Sequence, residues 1–260
     1  RASFWKTSPA GSRNGGAPEA AVAPAQAGAQ STALANLGPG LRRGNGSVTR
    51  PSYWPKAKRA LSAACPVLGG IIRHHPRVAL VSRGDPFATL ARSIVGQQIS
   101  VKAADAVWAR LLAACPEMTP RAVLRKRATT LRNCGLSARK VEYLVDLARH
   151  FERDHIDVPR LQAADDEEVI ALLTSIRGIG RWTAEMFLIF NLLRPDVLPL
   201  DDIGLLKAIS RHYLGGEPTE ALLRREGRAR VTALAAAWTP WRSVATWYLW
   251  RSLDPVPVEY

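Results

Sequence analysis

From Tyr53 onward apolar residues return every three to four positions, and that period decides what the chain can fold into. Val141, Leu144, Val145 and Ala148 fall at i, i+3, i+4 and i+7 behind Ser137, a residue type that caps helices. Val169, Leu172, Leu173 and Ile176 repeat the spacing behind Asp165-Asp166-Glu167-Glu168, whose negative charge suits a helix N-terminus. The same pattern predicts helices over about 86–98, 100–114, 181–193, 202–213 and 229–251, with Pro and Gly mostly between them. Strand alternation is missing, so the expected fold is all-α. At 260 residues the chain has room for one large domain or two small ones around a real core.

Residues 1 to about 50 lack that period. They are rich in Ala, Gly, Pro and Ser, with six basic residues (Arg1, Lys6, Arg13, Arg42, Arg43, Arg50) and one acid, Glu19. Such a composition predicts a disordered basic tail over 1–50 ahead of a helical core over 51–260. An organelle transit peptide is the other reading of an Arg-rich, acid-poor start, but Pro and Gly oppose the amphipathic helix it needs.

Charge narrows the partners. The chain carries 36 Lys and Arg against 22 Asp and Glu, a formal +14. Without the tail, 30 basic and 21 acidic residues still leave +9. A surplus of this size suits a polyanion, because phosphate contacts release condensed counterions. Cys65, Cys115 and Cys134 are odd in number and far apart, which speaks for a reduced compartment rather than a disulfide framework. Neither a Cys-x-x-Cys pair nor a Cys/His cluster offers zinc or iron–sulfur ligation. No apolar run approaches the ~18 residues of a membrane helix, so no membrane partner is expected.

The most informative segment is Leu172–Leu205, LLTSIRGIGRWTAEMFLIFNLLRPDVLPLDDIGL. An amphipathic helix runs into Gly178-Ile179-Gly180, and a second apolar helix starts near Arg181. Two glycines around one apolar residue allow a tight turn and the close approach of another backbone. The first N–H groups of the second helix then point outward, able to bind a phosphate. Arg177 and Arg181 flank the turn. A structural helix–turn–helix corner would use the same residues. Downstream, either Asp201 or Asp202 could cap the helix that starts near 202.

This stretch resembles the helix-hairpin-helix plus Gly/Pro/Asp (HhH-GPD) motif of DNA glycosylases. GIGRWTA followed by LDD is similar to the 3-methyladenine DNA glycosylase II (AlkA-like) branch, over roughly residues 53–253. The resemblance implies a monofunctional base-excision enzyme that flips alkylated purines out of duplex DNA and hydrolyses the glycosidic bond. It places the catalytic aspartate at Asp202 and leaves capping to Asp201. The chemistry wants such a group, since breaking an N-glycosidic bond builds positive charge on the sugar that a carboxylate stabilises. Where bifunctional relatives carry a Schiff-base lysine this chain has Trp182, so no strand cleavage is expected. The four-cysteine cluster of the endonuclease III type is also missing.

The resemblance further places Trp182 and Trp250 in the base pocket, where an indole face attracts a cationic purine by ~0.5–2 kcal/mol. Met186 and Ile203 stand where relatives carry pocket aromatics. WTPWRSVATWYLW, 238–250, would put four tryptophans on the closing helix, with Trp247 in the core. SIVGQQIS, 93–100, is similar to the segment that enters the minor groove; it makes Gln98 the wedge and adds Gln97 and Ser100 to the DNA-binding set, though a Gln pair at a helix end could simply cap it. GLSARKVEYL, 135–144, is also similar to the family and reads mainly as scaffold, with Arg139 and Lys140 in a position to touch phosphate.

No cofactor is required. A structural Na+ or K+ is implied on the carbonyls of Thr174, Ile176 and Ile179. The expected architecture is two helical lobes around a DNA cleft, without the N-terminal β domain of some relatives. The hairpin and Asp202 would lie in the middle lobe, with helices near 53–75 and after 229 forming the other. Damaged double-stranded DNA is the expected partner, bound by a monomer in a bacterial cytoplasm or, alternatively, a eukaryotic nucleus. Two other functions remain open on the sequence: a non-catalytic hairpin module that grips DNA, and a glycosylase for oxidised or mismatched bases.

Overall fold

Capping side chains start the helices that carry the site. In a computed structural model describing residues 50–253 apart from 78, 83, 154, 155 and 157, Asp85 accepts from Ala88 N at 2.7 Å and opens α3 (Pro86–Gly96). Ser100 opens α4 (Val101–Ala114), and Thr119 with Pro120 opens α5 (Pro120–Leu124). Ser137 accepts from Lys140 N at 3.2 Å ahead of α7 (Ala138–Arg153), as its position predicts. Asp165 and Glu168 form a reciprocal capping box on α9 (Asp166–Thr174). Short helices α6 (Ala128–Asn133) and α8 (Val158–Ala163) fill the gaps.

The chain begins its described part with α1 (Trp54–Ala64) and α2 (Pro66–His74). After α9 come α10 (Arg181–Phe190), α11 (Ile203–Tyr213), α12 (Thr219–Leu222), α13 (Arg225–Ala235) and α14 (Arg242–Arg251). Among the described residues there is no strand, so the all-α expectation holds. None of these helices is long and apolar enough to cross a membrane. The 1–49 tail lies outside the described residues.

Packing sorts the helices into two lobes. In the middle lobe α7 lies against α3 and α5, α9 against α10, and α3 against α4 and α10. In the terminal lobe α14 packs on α1, α2 and α11, and α12 and α13 complete it. Two expectations need correction here. Asp202 heads α11, so it belongs to the terminal lobe and faces the hairpin across the junction. The single closing helix over 229–251 is broken: α13 ends at Ala235, a 3-10 turn holds Ala236–Trp238, and α14 starts at Arg242. Pro240 explains the break, because it has no N–H to give a helix and pushes Thr239 to an extended backbone. Only Trp247 and Trp250 therefore ride on the last helix.

Short tethers fix the lobes against each other. Tyr53 Oη donates to the Leu193 carbonyl at 2.7 Å, and Ser82 Oγ to the Asn191 carbonyl at 3.2 Å. The segment between α10 and α11 docks on the start of α14, where Asp196 takes both Nε and an NH2 group of Arg242 at 2.8 Å. Ser243 Oγ accepts from Val197 N at 2.9 Å. This docking delivers Asp202 to the junction.

Candidate active site

The hairpin turn is built as its glycines require. Gly178 has φ +84, and a Cβ there would stand 2.2 Å from Cδ2 of Tyr143, whose ring lies against the turn. Gly180 is the N-cap of α10 and lends no side-chain acceptor to it. Ala184 N reaches the Gly180 carbonyl at 3.1 Å, so the amides of Arg181, Trp182 and Thr183 precede the first intrahelical bond. The turn is tied back to α7 by Arg177 N, which donates to Asp146 Oδ2 at 2.9 Å.

The two arginines differ. Arg177 is exposed, with a 3.8 Å pair to the equally exposed Glu142. Arg181 is committed elsewhere: it donates to Glu185 Oε1 at 3.0 Å and forks onto Glu167 in the first turn of α9. Glu167 lies at the far end of α9 from the turn, so here the guanidinium braces the α9–α10 pair. Lys140 Nζ donates to the Val95 carbonyl at 2.8 Å. Glu185 is 5% exposed with Oε2 unpartnered, and burial pushes its carboxyl up to about 7.

Across the junction sits Asp202, fully buried. Its Oδ1 accepts from Leu205 N at 2.6 Å and from Trp250 Nε1 at 2.8 Å, and Oδ2 from Trp182 Nε1 at 2.9 Å. The cap of α11 is thus Asp202 itself. Asp201 instead pairs with Arg228, which corrects the division of labour expected between the two. The Leu205, Trp250 and Trp182 partners are all N–H donors, from which a carboxylate oxygen accepts, and Asp202 stands at the N-terminal end of α11.

Trp250 is 7% exposed and stacks on Phe190 of α10 with ring centroids 5.6 Å apart. Its indole can reach Asp202 because residue 204 is glycine: a Cβ there would come within 3.2 Å of Trp250 Nε1 and 3.1 Å of Asp202 Oδ1. Trp182 is half-buried and covers Oδ2. Met186, one turn further along α10, lines a shallow crevice with Thr89, Ser93, Thr183 and Phe190, which does not include Trp182, Trp250 or Asp202. Ile203 is buried beside Asp202 in the first turn of α11. Trp247 lies in the core against Phe190, as expected.

The 97–100 loop borders the hairpin. Gln98 is exposed at φ +57, and Ile99 beside it is 38% exposed. Ser100 accepts from Ala103 N at 3.3 Å and serves as the cap of α4. Gln97 is turned inward onto the hairpin. Thr174, Ile176 and Ile179 fall on the last turn of α9 and in the hairpin, and the Ile176 oxygen accepts from Ile179 N at 3.1 Å.

A model of the HhH-GPD superfamily of base excision DNA repair proteins matches residues 91–232, more than half of the chain. The chain belongs to that superfamily. The DNA-3-methyladenine glycosylase of Saccharomyces cerevisiae is 34% identical over 197 residues, 64% of this chain and 66% of its own length. The crystal structure of a DNA-3-methyladenine glycosidase from Bacillus halodurans superposes with a TM-score of 0.68 at 33% identity, covering 81% of this chain and 94% of that one. The 3-methyladenine DNA glycosylase Mag1 of Schizosaccharomyces pombe, solved with abasic DNA, gives 0.63 at 30% identity, covering 76% and 96%.

Within this HhH-GPD site, sequence reasoning missed three residues. Gly204 carried a signal, a glycine two residues past Asp202 in the first turn of a helix. Glu185 carried one too, an acid inside an otherwise apolar helix. Phe190 had none, because its role comes from a tryptophan sixty positions away.

Proposed function

We propose that this chain excises alkylated purines of the 3-methyladenine and 7-methylguanine class from duplex DNA, hydrolysing the N-glycosidic bond and leaving an abasic site. The observation that carries the reading is the convergence of two indole N–H groups and a helix N-terminus on one buried carboxylate, Asp202, beside a helix-hairpin-helix. The names of the yeast and bacterial relatives support it.

The hairpin amides and Arg177 hold the phosphates while Gln98 fills the gap that the flipped base leaves. The extruded base reaches Trp182, the more exposed indole of the pair, and a cationic purine gains from its π face. Asp202 has no solvent exposure, so a nucleotide that reaches it must shift the Trp182 indole covering Oδ2. As the bond to the base breaks, the carboxylate faces the positive charge growing on the sugar and orients the attacking water. Trp182 offers no amine for a Schiff base, so the enzyme is monofunctional.

Sodium or potassium would sit on the carbonyls of Thr174, Ile176 and Ile179, using the second lone pair of the Ile176 oxygen, and no catalytic cofactor is needed. The protein works as a monomer wherever its DNA is, in a bacterial nucleoid or in a nucleus. A purely binding hairpin module would have no use for a carboxylate held by three donors at the DNA junction.

The test is base release from a duplex holding one methylated purine, with strand scission followed separately. Free base with scission only after alkali supports the reading. Tight DNA binding without release from any alkylated substrate would return the chain to the binding module, and scission without alkali would make it bifunctional.

A further inference from the structure

The loop between α3 and α4 carries Gln98, and it is fastened from two sides. At its start Lys140 of α7 donates to the Val95 carbonyl, one of the last carbonyls of α3, which lack partners inside the helix. One residue before the wedge, Gln97 is 9% exposed and donates its Nε2 to the Gly178 carbonyl at 2.8 Å. Gly178 is the positive-φ glycine of the hairpin, wedged against Tyr143. A peptide unit is planar, so holding the Gly178 oxygen also sets the amide of Ile179, which donates back to the Ile176 carbonyl at 3.1 Å. Directly after this brace the backbone of Gln98 takes a left-handed conformation that a non-glycine residue keeps only where its surroundings impose it.

We propose that Gln97 is a positioning residue and not a DNA contact: its amide joins the wedge loop to the hairpin, so the phosphate grip sets where Gln98 enters the duplex. The inference rests on the glycosylase reading above. It replaces the expectation that Gln97 touches DNA, because a side chain turned inward to a carbonyl offers the duplex little. Without the bond, the hairpin would still hold phosphate, but the wedge would enter from a loop no longer registered to it.

The experiment compares wild type with Gln97→Ala, Gln97→Met, Gln98→Ala and the Gln97→Ala/Gln98→Ala double variant. Single-turnover release from a methylated-purine duplex is measured beside affinity for undamaged duplex over a range of salt. Gln97→Met keeps the side-chain length but has no donor and no charge, so it remains informative if the alanine variant folds poorly. Each Gln97 variant is expected to slow release about 3- to 10-fold, the loss of one hydrogen bond. Undamaged-duplex affinity and its salt slope should stay within about two-fold of wild type. In the Gln98→Ala background, Gln97→Ala should cost less than about two-fold more, because it acts through the wedge. Additive losses would overturn the coupling, and so would weaker undamaged-DNA binding with a shallower salt slope, which would make Gln97 a DNA ligand. A wild type that releases no base overturns the glycosylase reading and this proposal with it, whereas an active wild type matched by its Gln97 variants overturns the coupling alone.

Discussion

Gly204→Ala separates the geometry of the site from the stability of the fold. The new Cβ would stand 3.1 Å from Asp202 Oδ1 and 3.2 Å from both Cδ1 and Nε1 of Trp250. Comfortable contact lies near ~3.5 Å, so the pair must open by about 0.3–0.5 Å. Neither partner gives easily: Trp250 backs onto Phe190, and Asp202 is held by the Leu205 amide at 2.6 Å. Overpacking costs about 1–3 kcal/mol, and replacing glycine inside a helix returns about 0.5–1. The net loss is about 0–2.5 kcal/mol, which for some 200 ordered residues lowers Tm by about 0–10 °C. Displacing catalytic groups costs about 100-fold per ångström, so a shift of this size predicts base release about 5- to 10-fold slower. Thermal unfolding and single-turnover release on the same preparation give both numbers. Wild-type release at wild-type Tm would refute the reasoning, because Asp202 and Trp250 would then not depend on that close approach. A Tm fall well beyond the range would show instead that glycine serves the fold.

Two further perturbations test neighbouring features. Glu185 titrates near 7 in the folded protein against 4.5 ordinarily, so its contribution to stability is present in full below about 4.5 and is lost as pH rises through 7. Glu185→Gln removes that titration and keeps an acceptor for Arg181, so between pH 5 and pH 8 urea unfolding should shift in the variant's favour by ~2–3 kcal/mol; a pH-independent difference would contradict the assignment. Gly178→Ala meets both a positive φ and the Tyr143 ring and should cost about 2–4 kcal/mol with weaker duplex binding, and Tyr143→Ala in the same chain should recover only the steric part. Full recovery of unfolding free energy in that double variant would remove the argument from backbone strain.

Local signals in the sequence translated well into structure. Ser137 caps α7, Asp165 and Glu168 close a capping box, and the Gly178-Ile179-Gly180 turn forms the hairpin, because each depends on residues within a few positions. What the sequence concealed depends on partners far along the chain. Asp201 and Asp202 are chemically equivalent as caps; only the arrival of Trp182 and Trp250, 20 and 48 positions away, tells them apart. Nothing local to Arg181 tells that Glu167, fourteen positions before it, pairs with its guanidinium. The lobe to which Asp202 belongs follows from α11 packing on α14, which no local pattern encodes. The break at Pro240 was different: apolar spacing continued through it, and the missing N–H of proline outweighed that period.

The central claim is that Asp202 supplies the charge that drives glycosidic cleavage, and Asp202→Asn tests it most directly. The asparagine can keep the bonds from Leu205 and Trp250 through its oxygen, while its NH2 meets the Trp182 donor. The account predicts a folded variant, destabilised by about 1–3 kcal/mol, that binds a methylated-purine duplex as well as wild type. Its single-turnover base release should fall by at least about 100- to 1000-fold, with Asp201→Asn remaining near wild type. Release by Asp202→Asn within a few-fold of wild type, at equal binding, would contradict the account and place the reacting carboxylate elsewhere.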